Sequence, residues 1–333
     1  MKKILTVSIA AYNVQDYIDE ALNSFVNVKE KERLEVLIVD DGSTDNTLEI
    51  ARKYESDYPE VFKVVHKKNG GWGSTVTTGI QNATGKYFKQ LDGDDYYNKD
   101  DLAAFLDELE KCESDMVVTA FTKFYDGTNK SVIVDNPYYT TDKVKNSTID
   151  EIPVFPYSIE MYALTFKTAL LKANNISVTE HCFYTDNEYV FRSCNCCKSV
   201  TIMPYSIYCY RLARPGQSVS VEGMKRHYKE FEYVLRTLLC LTKNETKNLQ
   251  LQKIYYERLR SLSYYYFEML VLMENKNSLK QEFVEYDLWL KKEFPEIYEG
   301  IRYLPLVILR KTNYFGYSFI IKQQKKRIEL RGA

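Results

Sequence analysis

Between Glu35 and Asp40 the chain runs Val36-Leu37-Ile38-Val39, four apolar residues with nothing polar among them. A strand with one wet face would alternate; one that is apolar throughout is covered on both faces, as in parallel sheets sandwiched by helices. That demand reaches beyond the run itself, because parallel neighbours can be joined only through a crossover, usually a helix. The flanking sequence supplies the pieces. Leu5 to Ala10 is β-rich and leaves through Ala11-Tyr12-Asn13. Ile18, Ala21, Leu22 and Phe25 recur at the i, i+3, i+4, i+7 spacing of a helix packed by one face. After Val39 comes Asp40-Asp41-Gly42-Ser43-Thr44-Asp45, where Gly42 permits a turn and Ser, Thr or Asp can cap a helix carrying Leu48, Ala51 and Tyr54. Phe62 to His66 reads as a third strand. Asn69-Gly70-Gly71-Trp72-Gly73-Ser74 is a loop into a short helix ending near Asn82, and Lys86 to Leu91 is a fourth strand. Alternation of this kind predicts an α/β, doubly wound, mainly parallel sheet.

Further along, Leu102, Phe105, Leu106 and Leu109 form another amphipathic helix, followed by a strand from Met116 to Phe124. Asp126-Gly127 is a hairpin turn into Ser131-Val132-Ile133-Val134. Residues 136–158 carry no readable pattern. Ala169-Leu170-Leu171 ends a short helix, Thr185 to Cys194 reads as a helix, and Val200 to Tyr210 as a strand. From about Lys225 the apolar spacing is helical throughout. The expected organisation is an α/β domain over residues 1–220 and an α-helical C-terminal region over 221–333.

In doubly wound sheets ligands bind beyond the carboxyl ends of the strands. Every acidic or glycine-bearing cluster here follows a strand: Asp40-Asp41, the Gly70–Gly73 loop, and Asp92-Gly93-Asp94-Asp95. Three carboxylates within four residues repel one another unless a cation joins them. A hard divalent ion, Mg²⁺ or Mn²⁺, suits such oxygen ligands and commonly leaves positions open for substrate phosphates. The competing reading is a solvated acidic turn before the helix that begins near Asp100.

A net charge of −1 argues against a general nucleic-acid binder. The seven cysteines are odd in number and form no secreted disulfide framework. Cys194-Asn195-Cys196-Cys197 has no second cysteine pair and no nearby histidine to complete the ligand set of a zinc site. The N-terminal apolar stretch is short and belongs to the first strand, no run of 18 apolar residues occurs, and a cytoplasmic setting is expected. Near the C-terminus, Lys322, Lys325, Lys326, Arg327 and Arg331 stand against one acid, Glu329, downstream of apolar residues between Leu304 and Ile321. That combination can seat a helix on an anionic membrane surface, at the inner face of the cell membrane; ordinary helix packing is the alternative.

These motifs together resemble a family-2 inverting glycosyltransferase with the GT-A nucleotide-diphospho-sugar transferase fold. The resemblance rests on Ser8-Ile9-Ala10-Ala11-Tyr12-Asn13, Val39-Asp40-Asp41-Gly42-Ser43-Thr44-Asp45, and Gly85-Lys86-Tyr87 leading to Leu91-Asp92-Gly93-Asp94-Asp95. Tyr184-Thr185-Asp186-Asn187-Glu188, with Arg192 six residues after Asp186, completes it. The similarity covers residues 4–220 and implies a GT-A (Rossmann-like) mixed, mainly parallel sheet flanked by helices, with an α-helical C-terminal extension.

The resemblance further implies that Ala10, Tyr12 and Asp41 line the nucleotide base pocket, with Asp41 accepting from the uracil N–H. Asp92 would reach the sugar or ribose, Asp94 would hold Mn²⁺ or Mg²⁺ on the diphosphate, and Asp186 would be the general base. Trp72 is a candidate to stack on a sugar or base ring or to pack over the glycine loop. Many relatives carry Arg-Asn where this chain has Val76-Thr77; Arg211, Arg214 or Ser218 are candidates to compensate. The implied reaction is a single displacement from a nucleotide-sugar donor, with a UDP-sugar expected, onto a glycan or lipid-linked acceptor of the cell envelope. It needs leaving-group charge neutralised and a base for the acceptor hydroxyl. Glu188 and His181 are rival bases, and a helix cap is the structural alternative for Asp186. A sugar nucleotidyltransferase and a non-catalytic sugar-binding relative are the competing functions.

Overall fold

The computed structural model describes residues 2–134, 142–153, 160–213, 220–273 and 277–331. They fall into two compact units, one built from residues up to Ile152 together with 160–213, the other from 220 onward.

The first unit follows the alternation closely. It runs β1 (Leu5–Ala11), α1 (Ile18–Val26), β2 (Leu34–Asp40), α2 (Thr47–Asp57), β3 (Phe62–His66), α3 (Trp72–Asn82), β4 (Tyr87–Asp92), β5 (Tyr96–Tyr97) and α4 (Lys99–Lys111). Then come β6 (Met116–Tyr125), β7 (Ser131–Val134), β8 (Lys145–Thr148), β9 (Leu164–Lys167), α5 (Thr168–Ala173), α6 (Asp186–Cys194) and β10 (Ser199–Leu212). The sheet order is β3-β2-β1-β4-β9-β6-β10-β5, with β7 added on β6 and β8 on β10. β3, β2, β1 and β4 are mutually parallel, as are β6 and β10. β9 is antiparallel to both β4 and β6, and it makes the sheet mixed.

Every residue of β2 is buried, as its unbroken apolar run requires. Ile18, Ala21, Leu22 and Phe25 of α1 are buried as well, and each large side chain among them contributes about 1.5–3 kcal/mol. Glu35, a charged residue of β2, sits inside this core. Glu35 accepts from the Thr6 hydroxyl at 2.6 Å, the Thr84 N–H at 2.7 Å and the Thr84 hydroxyl at 2.8 Å. Burial opposes its ionisation, but these hydrogen bonds outweigh it and hold the carboxyl below its ordinary pKa. The network ties β1 and β2 to the turn that leads into β4.

Two readings change. Ala169-Leu170-Leu171 lies in the middle of α5 and does not end it. Within the 136–158 stretch, where the sequence carries no readable pattern, residues 145–148 form β8, antiparallel to β10.

The second unit contains α7 (Val221–Asn244), α8 (Leu249–Leu272), α9 (Asn277–Glu293), α10 (Pro295–Gly300), α11 (Leu304–Lys311) and α12 (Tyr317–Arg331). Its core is aromatic, with Phe231, Tyr266, Phe267, Phe283 and Tyr286 in mutual ring contact. Asp287, fully buried, is satisfied by the Arg310 guanidinium and by the Tyr314 hydroxyl at 2.7 Å. No helix among the described residues is long and apolar enough to cross a membrane.

Candidate active site

The carboxyl ends of β1, β2 and β4 lie side by side, pairing Ala10 with Asp92 and Ala11 with Asp40. Asp92 ends β4, and the chain turns at once: Gly93 N–H donates to the Ala10 carbonyl and Asp95 N–H to the Asp92 carbonyl, both at 3.0 Å. The turn gives the three carboxylates different fates. Asp95 points inward and is buried. It accepts from the Arg211 N–H at 2.7 Å and the Tyr208 hydroxyl at 2.6 Å. Burial, and then the charges of Asp94 and Asp92, push its carboxyl well above the ordinary range. Asp92 and Asp94 stay half-exposed, with oxygens of all three residues within 4.8 Å of one another. Among the described residues this is the one acidic, His or Cys cluster close enough to hold a metal ion.

Arg211, raised in the sequence as a stand-in for the absent loop arginine, braces this turn. Its Nε–H donates to the Asp94 carbonyl at 2.7 Å, and its guanidinium pairs with Asp126 and Glu20. Arg214 and Ser218 lie outside the described residues.

Asp41 is 1% exposed, and its carboxylate organises the glycine loop. Oδ1 accepts from Lys67 Nζ at 2.8 Å, the Gly70 N–H at 2.9 Å and the Ser74 hydroxyl at 3.3 Å, and Oδ2 from the Gly71 N–H at 2.7 Å. Lys67 is the cation nearest this loop's carboxylate, and the sequence reading passed over it. The available signal was a lysine directly after a strand and before the glycines. Ala10 is half-buried between Val39 and Asp92 of the neighbouring strands, and Tyr12 is exposed.

Trp72 begins α3 and aims its indole N–H at Asp92 Oδ1, 2.6 Å away. Its ring meets Tyr189 edge-on, with centroids 6.3 Å apart. Tyr189 belongs to α6, the helix that Asp186 starts. The glycine loop also bears on the approach to α6. Gly71 adopts φ +82°, and a Cβ on Gly73 would sit 2.1 Å from the Thr179 carbonyl oxygen. His181 N–H donates to the Gly70 carbonyl at 2.6 Å. Val76 is buried, and Thr77 accepts from the Val178 N–H at 3.1 Å, which ties α3 to the same segment.

Asp186 is the first residue of α6 and is half-buried; the cap position belongs to Thr185, which makes no side-chain cap bond. Asn187 donates to the Asp186 carboxylate at 3.2 Å. Glu188, the rival, is 2% exposed and engaged by the Thr179 N–H at 3.1 Å and Arg192 Nε at 2.8 Å. His181 is exposed in a left-handed backbone. Tyr162 links the two acidic regions. Its ring stacks on Tyr210 at 4.4 Å, and burial, Tyr210, Asp92, Asp95 and Asp186 all raise its hydroxyl pKa. Behind it, Lys89 is wholly buried and donates to the Tyr162 and Leu164 carbonyls at 2.7 and 3.0 Å. Burial lowers its pKa to about 7.

The cysteines are all free thiols, and burial pushes Cys194 to about 12.

Comparison with known proteins agrees with this geometry. A glycosyltransferase of Mycoplasma pneumoniae, the MG060 homolog, is 30% identical over 245 residues, covering 72% of this chain and 79% of that protein. The poly(ribitol-phosphate) β-N-acetylglucosaminyltransferase TarS of Staphylococcus aureus is 28% identical over 224 residues, 65% of this chain but 36% of TarS. The crystal structure of TarS residues 1–349 with UDP-GlcNAc superposes with a TM-score of 0.67 at 18% identity, over 98% of this chain and 92% of that one. The mannosyltransferase PcManGT of Pyrobaculum calidifontis, solved with GDP-Man and Mn²⁺, has a TM-score of 0.57 at 14% identity, over 98% and 87%. The fold is therefore GT-A, a mixed, mainly parallel sheet flanked by helices, followed by a helical C-terminal region. The sequence model described as Glycosyl transferase family 2 matches residues 6–172, and the chain belongs to that family of glycosyltransferases.

Proposed function

We infer that the protein moves a sugar from a UDP-sugar to an acceptor hydroxyl by a single inverting displacement, with Asp186 as general base. The observation that carries this reading is the cluster of Asp92, Asp94 and Asp95 at the carboxyl end of β4, with oxygens of all three within 4.8 Å of one another. The donor assignment draws on the UDP-GlcNAc bound by TarS.

Asp92 and Asp94 fit a divalent cation, Mn²⁺ or Mg²⁺: they offer oxygen donors within 4.8 Å of each other, while Asp95 is spent on the turn. Such an ion supplies Lewis-acid neutralisation of the departing diphosphate. The chain's own residues do the rest. Trp72 fixes the orientation of Asp92 through its indole N–H. Ala10, Tyr12 and Asp41 line the base pocket. A carboxylate oxygen can accept more than one hydrogen bond, so Oδ2 of Asp41, which takes the Gly71 N–H, can also take the uracil N–H once the loop shifts to expose it. Asp186 accepts the acceptor's proton as that oxygen attacks from the face opposite the leaving group. Glu188, already bonded twice, holds α6 to residue 179. The acceptor is a glycan or lipid-linked hydroxyl of the cell envelope.

The test separates chemistry from binding. Asp186→Asn lowers transfer from UDP-GlcNAc by ~10²–10⁴-fold while UDP and Mn²⁺ affinities stay near wild type. Asp94→Asn loses metal-dependent UDP binding. Equal loss of rate and donor affinity in Asp186→Asn, or full activity in excess chelator, overturns the assignment.

A further inference from the structure

The helical unit carries a surface that its own packing does not use. On α12, Tyr317 and Ile321 are buried, and Gln324 and Ile328 line the same inner core with Phe267 and Phe283. At about 100° per residue, Phe319, Lys322 and Lys326 fall roughly half a turn away and point outward. Phe319 is 67% exposed, and Phe315, in the turn just before the helix, is 85% exposed. α11 repeats the pattern. Leu306 and Leu309 are buried on the inner side, while Leu304 (68% exposed), Ile308 (41%) and Lys311 share the opposite stripe. α11 thus presents two apolar side chains followed by a lysine on the face turned from the core, and α12 presents Phe319 followed by two lysines, with Phe315 just ahead of it. Helix packing accounts for the inner stripes and leaves the outer ones unexplained.

The charge along this segment is one-sided. From Ile301 to Ile328 the sequence holds seven Lys and Arg and no Asp or Glu, in a chain of net charge −1. One of the seven, Arg310, is spent on buried Asp287. Large exposed apolar residues rimmed by like charge mark an interaction site, and aromatic plus basic composition is what an anionic lipid surface binds. A second copy of the chain fits poorly, because it would bring cations against cations.

We propose that the outer face of α11 and α12 docks this protein on an anionic phospholipid bilayer, Phe315, Phe319, Leu304 and Ile308 entering the headgroup boundary and the lysines pairing with lipid phosphates. The contact is peripheral, since no described helix is long and apolar enough to span. It is independent of the reaction assigned above.

The full chain is sedimented with phosphatidylcholine vesicles containing or lacking phosphatidylglycerol. It pellets with the anionic vesicles and is released by salt. Lys322→Gln and Lys326→Gln each weaken binding about fivefold, and Phe315→Ser with Phe319→Ser removes it, with thermal unfolding midpoints kept at the wild-type value. Three results overturn the proposal: equal binding to neutral vesicles, absence of pelleting at low salt, or a lipid-indifferent dimer that Phe319→Ser dissolves.

Discussion

Lys89 offers a test of the ground beneath the acidic turn. Its amine is wholly buried, burial alone lowers its pKa to about 7, and its two hydrogen bonds run to carbonyls of Tyr162 and Leu164. A neutral amine has two N–H donors, matching those two acceptors. The unfolded chain holds the same amine at its ordinary pKa of about 10.4. Between those values the unfolded state binds one proton more, so this group makes stability rise with pH by about 1.4 kcal/mol per unit. Over pH 7.5 to 9.5 the rise is about 2.5 kcal/mol. Lys89→Met removes the titration and leaves a pH-independent cost of about 1–3 kcal/mol for each orphaned carbonyl. The assay is urea unfolding followed by Trp72 fluorescence in a Trp289→Phe background, which leaves Trp72 as the sole tryptophan. The stability difference between parent and Lys89→Met then moves by about 2.5 kcal/mol in favour of the parent across that range. A difference that stays constant with pH refutes a neutral Lys89.

Two more substitutions probe the site and the core. Trp72→Phe keeps the ring against Tyr189 but removes the bond to Asp92, which at about 1.5–3 kcal/mol weakens Mn²⁺-dependent UDP binding roughly tenfold or more; unchanged binding leaves Trp72 a packing residue. Glu35→Gln cannot serve all the donors that the carboxylate serves and lowers stability at pH 7 by about 2–3 kcal/mol. Because the Glu35 pKa is depressed in the folded state, its contribution is present above the unfolded value of about 4.3 and is lost as pH falls through the folded value. Parent and variant therefore converge in acid, and equal urea midpoints at pH 7 contradict the network.

Much of this was written in local pattern. β1, β2 and α1 announce themselves because burial on both faces or on one helical face leaves a periodic trace. β9 does not: Leu164 to Lys167 is four residues long, and its burial comes from lying between β4 and β6, a fact of topology. The acidic run showed three equivalent carboxylates, and only the inward turn of Asp95 onto Tyr208 and Arg211 distinguishes them. Trp72 reads equally as a stacking ring or as packing over the glycine loop, because its partner, Asp92, is twenty residues away. Lys67 was hidden for a similar reason: its role depends on Asp41, which only the fold brings beside it.

The bracing of Asp95 by β10 also sets an order of assembly. Tyr208 and Arg211 reach Asp95 across 113 and 116 residues of sequence, through a strand that must first pair with β6. Contacts of such long range form late, since chain entropy has to be paid before they return anything. On a ribosome, the segment through β4 emerges and can pair well before β10 exists. Until then Asp95 lacks both of its partners and remains a third charge beside Asp92 and Asp94. The growing chain therefore acquires the parallel half of its sheet early and the finished form of its acidic turn only with the final strand, so a half-made transferase is kept idle by its own wiring.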